Sequence, residues 1–371
     1  MSTELPARTT QEREGVSLSK IDYIEFYVSN VIQAVHFYRT AFGFKPTLRA
    51  SLETGVCDRT SFLIEQNDIR LLLTSPLEPR SEIANQISRH GDGVKDIAFR
   101  VDNAGDVFEQ AVSAGARPVL EPLIIEDPRG RMVKATVAAC GDTVHSFVER
   151  GEYEGAFMPH FQPVTDAPPV LPIGVGEIDH VAISVEAGRL DQWVEYYERV
   201  FGFHQSHSDD VTTEYSGMNS TVVQDKTGRI KFPLMEPSTG RRKSQIEEFL
   251  SFYQGPGAQH IALSSQDIGS TVRALMGNGI ELLRTPDTYY DQLEKRVGLI
   301  DEDPEMIREL SILADRDGWG YLMQVFSKPV GTRPTLFWEI IQRKGAQGFG
   351  SGNVRALFEA VEREQALRGT L

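Results

Sequence analysis

The sequence predicts an α+β fold in which four βαβββ modules pair into two open β-barrel domains. The first observation behind this is an internal repeat. Ile21-Asp22-Tyr23-Ile24-Glu25-Phe26-Tyr27-Val28 leads through Phe37-Tyr38 to Phe42-Gly43-Phe44. Ile178-Asp179-His180-Val181-Ala182-Ile183-Ser184-Val185 leads in the same way through Tyr196-Tyr197 to Phe201-Gly202-Phe203. Both read as strand, amphipathic helix and capping glycine. The second observation is another recurring unit. Gly91-Asp92-Gly93-Val94-Lys95-Asp96-Ile97-Ala98-Phe99 matches Gly255-Pro256-Gly257-Ala258-Gln259-His260-Ile261-Ala262-Leu263. Each is followed by a helix ending in glycine and a strand ending in proline, Pro122 and Pro286. The third is a stretch carrying Pro159, Pro163, Pro168, Pro169 and Pro172, which separates two similar halves.

Residues 1–17 are polar and read as a loose tail, with no apolar segment of a secretory leader. Residues 18–152 form the first barrel domain, residues 153–175 the linker and residues 176–371 the second domain. Two modules side by side curl into one open barrel whose inward side chains surround a pocket. Residues 287–312 are extra relative to the first half and read as helical; Gly318 to Phe326 then forms a hairpin turn and strand. By strand alternation Met323 and Val325 face one way, and Leu322, Gln324 and Phe326 the other. Gln324 is thus either a polar group aimed into a pocket or a core residue bonded to backbone. Val354, Leu357, Phe358 and Val361 mark an amphipathic helix with Asn353 as N-cap. It packs over the mouth of the second barrel or on the outside of its sheet. The glycine-rich Gly348 to Gly352 lacks the strand and spacing of a phosphate loop, which excludes a nucleotide site there.

The net charge of −15 over 371 residues argues against a nucleic-acid or anionic-membrane surface. The two cysteines, Cys57 and Cys140, are too few for a disulfide framework and suggest a reducing compartment, the cytoplasm. No apolar run has the length of a membrane span.

The chemistry concentrates in three strands of the second half. His180 and His260 begin equivalent strands of the repeat, and Glu339 lies between Trp338 and Ile340 in a third. A carboxylate inside an apolar strand is costly unless it is paired or binds a metal. Two histidines and one carboxylate on rigid strands are the ligand set of a non-haem Fe(II) with open positions. A lone strand histidine is more often structural, but the repeat assigns these three to one half. Tyr23 stands where His180 stands, Asp96 where His260 stands, and Ser146 opposite Glu339. The first half therefore lacks the ligand set and reads as structural.

With these motifs in view, the chain resembles the 4-hydroxyphenylpyruvate dioxygenases and the related 4-hydroxymandelate synthases. The resemblance runs through Asp179-His180, Lys243-Ser244-Gln245-Ile246, Gly257-Ala258-Gln259-His260, Tyr289-Tyr290, Gln324-Val325-Phe326, Arg333-Pro334-Thr335, Phe337 to Arg343 and Gly348-Phe349-Gly350. It implies the vicinal-oxygen-chelate fold and Fe(II) held by His180, His260 and Glu339. It implies a substrate site among Ser220, Pro233, Gln245, Gln259, Gln324, Phe326, Phe337 and Phe349. It implies an α-keto acid and O2 as substrates, homogentisate and CO2 as products, and a homodimer or homotetramer.

Two positions depart from the dioxygenase pattern. Met235 stands where those enzymes carry asparagine, and Val354 where they carry phenylalanine. Both changes make the pocket aliphatic, as in mandelate synthases, while Pro233 and Lys243-Ser244-Gln245 keep the dioxygenase pattern. Homogentisate formation is the first reading and 4-hydroxymandelate formation the alternative. A non-catalytic small-molecule-binding protein of the same fold is the alternative from another class; the intact His180/His260/Glu339 set argues against it.

Overall fold

The computed structural model describes residues 16–370, so most of the tail expected over 1–17 lies outside the described residues. The first half contains β1 (Lys20–Tyr27), α1 (Val31–Phe42), β2 (Lys45–Ala50), β3 (Arg59–Gln66), β4 (Ile69–Pro76), α2 (Glu82–His90), β5 (Gly93–Val101), α3 (Ala104–Ser113), β6 (Pro118–Asp127), β7 (Gly130–Ala138), β8 (Val144–Glu149) and the short β9 (Gln162–Pro163). The second contains β10 (Val175–Ser184), α4 (Leu190–Phe201), β11 (His204–Thr212), β12 (Gly217–Gln224), β13 (Lys231–Ser238), α5 (Gln245–Tyr253), β14 (Gly257–Ser265) and α6 (Ile268–Gly277). The helical insert α7 (Asp287–Tyr290), α8 (Leu293–Val297) and α9 (Pro304–Glu309) follows, then β15 (Leu313–Arg316), β16 (Tyr321–Phe326), β17 (Phe337–Lys344) and α10 (Ser351–Arg368).

The two sheets have one plan. The first runs β6-β7-β8-β5-β1-β4-β3-β2-β9, and the second, read from the other end, runs β15-β16-β17-β14-β10-β13-β12-β11. At the centre of each, the first strand of one module pairs antiparallel with the first strand of the next (β1 with β5, β10 with β14). Each central strand then pairs in parallel with the last strand of its own module: β1 with β4, β5 with β8, β10 with β13, β14 with β17. Four βαβββ modules in two open barrels is therefore the architecture.

Local sequence explains the elements. Asn30 caps α1 by accepting a hydrogen bond from Gln33 N, and Gly43 ends it at φ 71°. No side chain fits at Gly43: an added Cβ would lie 2.5 Å from Leu171 O. Strand alternation divides each strand between two cores. Val181, Ile183, Ile261, Leu263, Trp338 and Ile340 join the large core shared by the two halves. Trp338 there meets Phe26, Tyr38 and Phe42 of the first half, with ring centroids 6.1, 5.8 and 5.4 Å away. Each large apolar side chain so buried contributes about 1.5–3 kcal/mol. The two halves are thereby one packed unit, and the alternate residues of the same strands turn into the second barrel.

The stretch read as a linker does more than connect. Tyr153, Phe157 and Phe161 are buried inside the first barrel with Tyr23, Leu63, Leu72 and Ala98, and Phe157 meets Tyr23 edge-on at 5.4 Å. Each barrel is filled by the segment that follows it, aromatic side chains in the first and α10 in the second. Cys57 is exposed and Cys140 buried, both free. Among the described residues no helix is long and apolar enough to cross a membrane.

The corresponding positions of the first barrel hold a closed ion-pair network. Asp96 is 2 % exposed and accepts hydrogen bonds from Ser146 N at 3.0 Å and Ser146 Oγ at 2.6 Å. The Lys134 ammonium lies 3.1 Å from Asp96 Oδ2 and 2.8 Å from Tyr23 Oη. Burial lowers the Lys134 pKa, but Tyr23, Asp96 and Glu25 outweigh it and leave it raised. A cationic side chain thus bridges the positions equivalent to His180 and His260. Replacing Lys134 by Met leaves the Asp96 carboxylate buried without a counter-charge and should cost on the order of 3 kcal/mol in urea unfolding. Adding Asp96→Asn should recover most of that loss. A Lys134→Met protein as stable as wild type would contradict the assignment.

Candidate functional site

Three adjacent strands present the cluster. His180 on β10 is opposite Ala262 on β14, and Ala262 is opposite Glu339 on β17, all on the face that lines the second barrel. The small Ala262 between them leaves room. On β14, Ala182 pairs with His260 but Ile183 with Ala258, so Gln259 is the extra residue of a β-bulge. The bulge lets the consecutive Gln259 and His260 both line the cavity. The first half has the matching irregularity, with Glu25 opposite Asp96 and Phe26 opposite Val94.

The side chains converge. His180 Nε2 lies 3.2 Å and His260 Nε2 3.5 Å from Glu339 Oε2. One ligand atom from each residue falls within 4.8 Å of the others. His180, His260 and Glu339 are 2 %, 6 % and 1 % exposed. Among the described residues, no lysine or arginine pairs with Glu339, in contrast to Asp96 with Lys134. A buried carboxylate facing two imidazoles is a donor set for a cation, and it fits a divalent transition metal.

Outer partners orient each donor. Asp179 Oδ1 accepts from His180 Nδ1 at 2.9 Å, which turns the Nε2 lone pair toward Glu339. Arg343 in turn grips Asp179 with two bonds of 2.7 and 2.9 Å, and Lys231 lies 3.4 Å away. Burial raises the Asp179 carboxyl, yet the bonds from Arg343 and His180 outweigh it and hold it well below the usual range. Asp22 has the same brace in the first half, held by Arg150 and Arg100. His260 Nδ1 reaches Gln259 Oε1 at 3.2 Å, and its ring stacks on Phe337 at 4.8 Å. Burial lowers both imidazoles. For His180 the charge of Glu339 and the bond to Asp179 reverse this and raise its pKa, while His260 falls well below normal.

A cavity of about 620 Å³, counting its open mouth, adjoins the cluster. Of the expected substrate residues, Ser220, Pro233, Met235, Gln245, Gln259, Gln324, Phe326, Phe349 and Val354 line it. Phe337 does not; it lies behind His260 and supports that ring. Met235, Met218, Ala182, Ile246 and Phe358 form an apolar cluster with Val354 against it. Gln324 lines the cavity and donates from Nε2 to Glu339 Oε1 at 2.9 Å and to the backbone Phe349 O at 3.4 Å, so it meets both readings of that residue. Gln245 Oε1 is buried with no hydrogen-bond partner.

Sequence reasoning missed several lining residues. Met218 and Val222 were legible, two positions either side of Ser220 on β12. Leu357 was legible one helical turn from Val354. His207 and Asp209 carried no signal, since they lie on the largely exposed β11. Asn353 is not the N-cap of α10. Gly350, at φ 72°, precedes the helix, and Asn353 lies inside it with Nδ2 bonded to Gln324 Oε1 at 2.9 Å. Gly350 is constrained twice, since a Cβ there would also lie 2.5 Å from Gln324 Oε1. Gly350→Ala should therefore cost about 1–2 kcal/mol from the left-handed backbone alone, read as a lower midpoint in denaturant. An unchanged midpoint would contradict the close approach.

Comparison with known proteins gives consistent results. The profile of the Glyoxalase/Bleomycin resistance protein/Dioxygenase superfamily matches residues 20–134 and 177–319. A 4-hydroxyphenylpyruvate dioxygenase of Yarrowia lipolytica is 42 % identical over 366 residues, covering 94 % of this chain and 93 % of the relative. That of Dictyostelium discoideum is 42 % identical over 363 residues, covering 94 % and 99 %. Among solved structures, a mutant of 4-hydroxymandelate synthase from Streptomyces coelicolor superposes with a TM-score of 0.86 at 37 % identity, covering 94 % of this chain and 99 % of that one.

Proposed function

Given that the chain belongs to the 4-hydroxyphenylpyruvate dioxygenase family, within the glyoxalase and dioxygenase superfamily, we propose that it converts 4-hydroxyphenylpyruvate and O2 to homogentisate and CO2. In this reading His180, His260 and Glu339 hold one Fe(II). The observation that carries it is the buried Glu339 carboxylate facing two oriented imidazoles, with no lysine or arginine paired to it among the described residues.

The bound iron supplies O2 activation and open positions for an α-keto acid. The protein's own side chains do the rest. Asp179 and Gln259 hold Nδ1 of His180 and His260, so both Nε2 atoms face inward. Phe326, Phe349, Pro233 and Leu357 offer apolar walls that hold an aromatic ring and exclude water. The unpartnered Gln245 Oε1 is an acceptor that a ring hydroxyl can satisfy. Gln324, fixed through Glu339, adds a polar contact without adding charge.

A second reading, 4-hydroxymandelate as product, is favoured by Met235 and Val354, which make one wall of the cavity aliphatic. A ring free to slide along that wall brings a different carbon to the reacting oxygen. Differences of one side chain in a pocket amount to about 1–3 kcal/mol, enough to exchange products of competing paths.

Two experiments test this. His180→Ala should lose bound iron and O2 uptake together; full activity in that variant would remove His180 from the ligand set. Fe(II)-loaded wild-type protein given 4-hydroxyphenylpyruvate and O2 should yield homogentisate on chromatography. 4-Hydroxymandelate would establish the second reading, and Val354→Phe should then move the product ratio toward homogentisate. A metal-loaded protein that consumes no O2 with any arylpyruvate would favour a binding protein.

A further inference from the structure

We propose that Asn353 and Tyr289 are positioning residues for the Glu339 carboxylate, and that metal binding and docking of α10 are coupled through them. This rests on reading His180, His260 and Glu339 as a metal centre.

The observation is an oriented chain of hydrogen bonds. Gln324 Nε2 donates to Glu339 Oε1 at 2.9 Å, leaving Oε2 to face the two imidazoles. Gln324 Oε1 accepts from Asn353 Nδ2 at 2.9 Å. Asn353 Oδ1 accepts from Tyr289 Oη at 2.6 Å, the nearer of that hydroxyl's two acceptors (Ala314 O lies at 2.9 Å), and Tyr289 Oη accepts from Ala314 N at 2.9 Å. Each amide has its carbonyl and NH2 ends fixed by its neighbours, so none can flip without breaking two bonds. The chain is buried: Gln324 is 4 % and Asn353 1 % exposed. It joins β17, β16, α10 and α7 through their side chains.

A second arm reaches the same segment from His180. Asp179 accepts from His180, Arg343 grips Asp179, and Arg343 also donates to Gly348 O at 2.6 Å. Phe349 sets its ring edge against His180 at 5.2 Å. The outer partners of two of the three proposed ligands therefore end on residues 348–353, where α10 begins. Beyond that point α10 is held by Phe358 in the apolar cluster and by Glu362, which accepts from Thr213 Oγ1 at 2.7 Å.

A cation that fixes Glu339 fixes Gln324, and through it Asn353. Energetic coupling is reciprocal: if docked α10 favours the metal-ready carboxylate, bound metal favours docked α10. The helix then closes more firmly over a loaded site than over an empty one, which keeps water out when the reaction is possible.

The test uses the full-length protein and Co(II), which does not oxidise during the measurement. In the wild type, saturating Co(II) should slow amide hydrogen exchange across residues 348–368. Asn353→Ala should weaken Co(II) binding about ten-fold and abolish the metal-dependent difference in exchange. Tyr289→Phe, which removes one hydroxyl and keeps the ring, should shift both readouts in the same direction by less. Arg355→Ala, an exposed change on the same helix, should leave Co(II) affinity unchanged. A helix whose exchange is the same with and without Co(II), or an Asn353→Ala protein that binds Co(II) as wild type does, would overturn the coupling. Failure of the wild type to bind Co(II) at all would overturn the metal reading itself.

Discussion

A buried carboxylate must be paired, hydrogen-bonded or bound to a metal, and the two barrels meet that demand differently. In the first, Asp96 is neutralised by the Lys134 ammonium, with Tyr23 and Ser146 completing the shell. In the second, Glu339 faces two histidines and no ammonium. Strand register makes the comparison close. Thr136 pairs with Ser146 on β7 and β8, and Phe326 with Glu339 on β16 and β17. Two residues before each of these lie Lys134 and Gln324. One framework position thus carries a fixed cation in the first barrel and a neutral amide in the second. The amide orients the carboxylate but carries no charge, so the second barrel keeps a donor set that could hold a metal ion where the first holds an ammonium.

The rest of the fold serves this contrast. The large core between the halves takes one face of every central strand, so the opposite face is presented on rigid backbone. Rigid strands matter because ligand geometry tolerates little error. The braces Asp22–Arg150 and Asp179–Arg343 are common to both halves. Only in the second does the braced aspartate meet a histidine. The same framework carries a lysine-paired carboxylate in one half and a histidine-faced one in the other through a few substitutions, chiefly Tyr23 against His180 and Lys134 against Gln324.

Much of this was legible in the sequence. The repeat was readable because strand, helix and left-handed glycine recur at matching positions, as Gly43 and Gly202 do. The cluster of His180, His260 and Glu339 was readable because the repeat supplied an internal control: Tyr23, Asp96 and Ser146 occupy the corresponding positions. Other features depend on contacts that pattern does not encode. Lys134 looks like any exposed strand lysine until β7 is placed beside Asp96. The proline-rich linker hid Phe157 and Phe161, whose burial follows from the space inside the first barrel. Phe337 looked like a pocket wall, but it is the register partner of His260 across β14 and β17, and that ring covers it. Asn353 had the look of a helix cap, yet Gly350 already turns the chain there, which frees the amide to hold Gln324.

The most direct test of the account counts divalent metal per chain after equilibrium dialysis of the wild-type protein and of Glu339→Gln. The account predicts one ion per wild-type chain, since the ammonium of the first barrel leaves no second vacancy, and none in Glu339→Gln. Two ions per wild-type chain, or one retained by the variant, would contradict it.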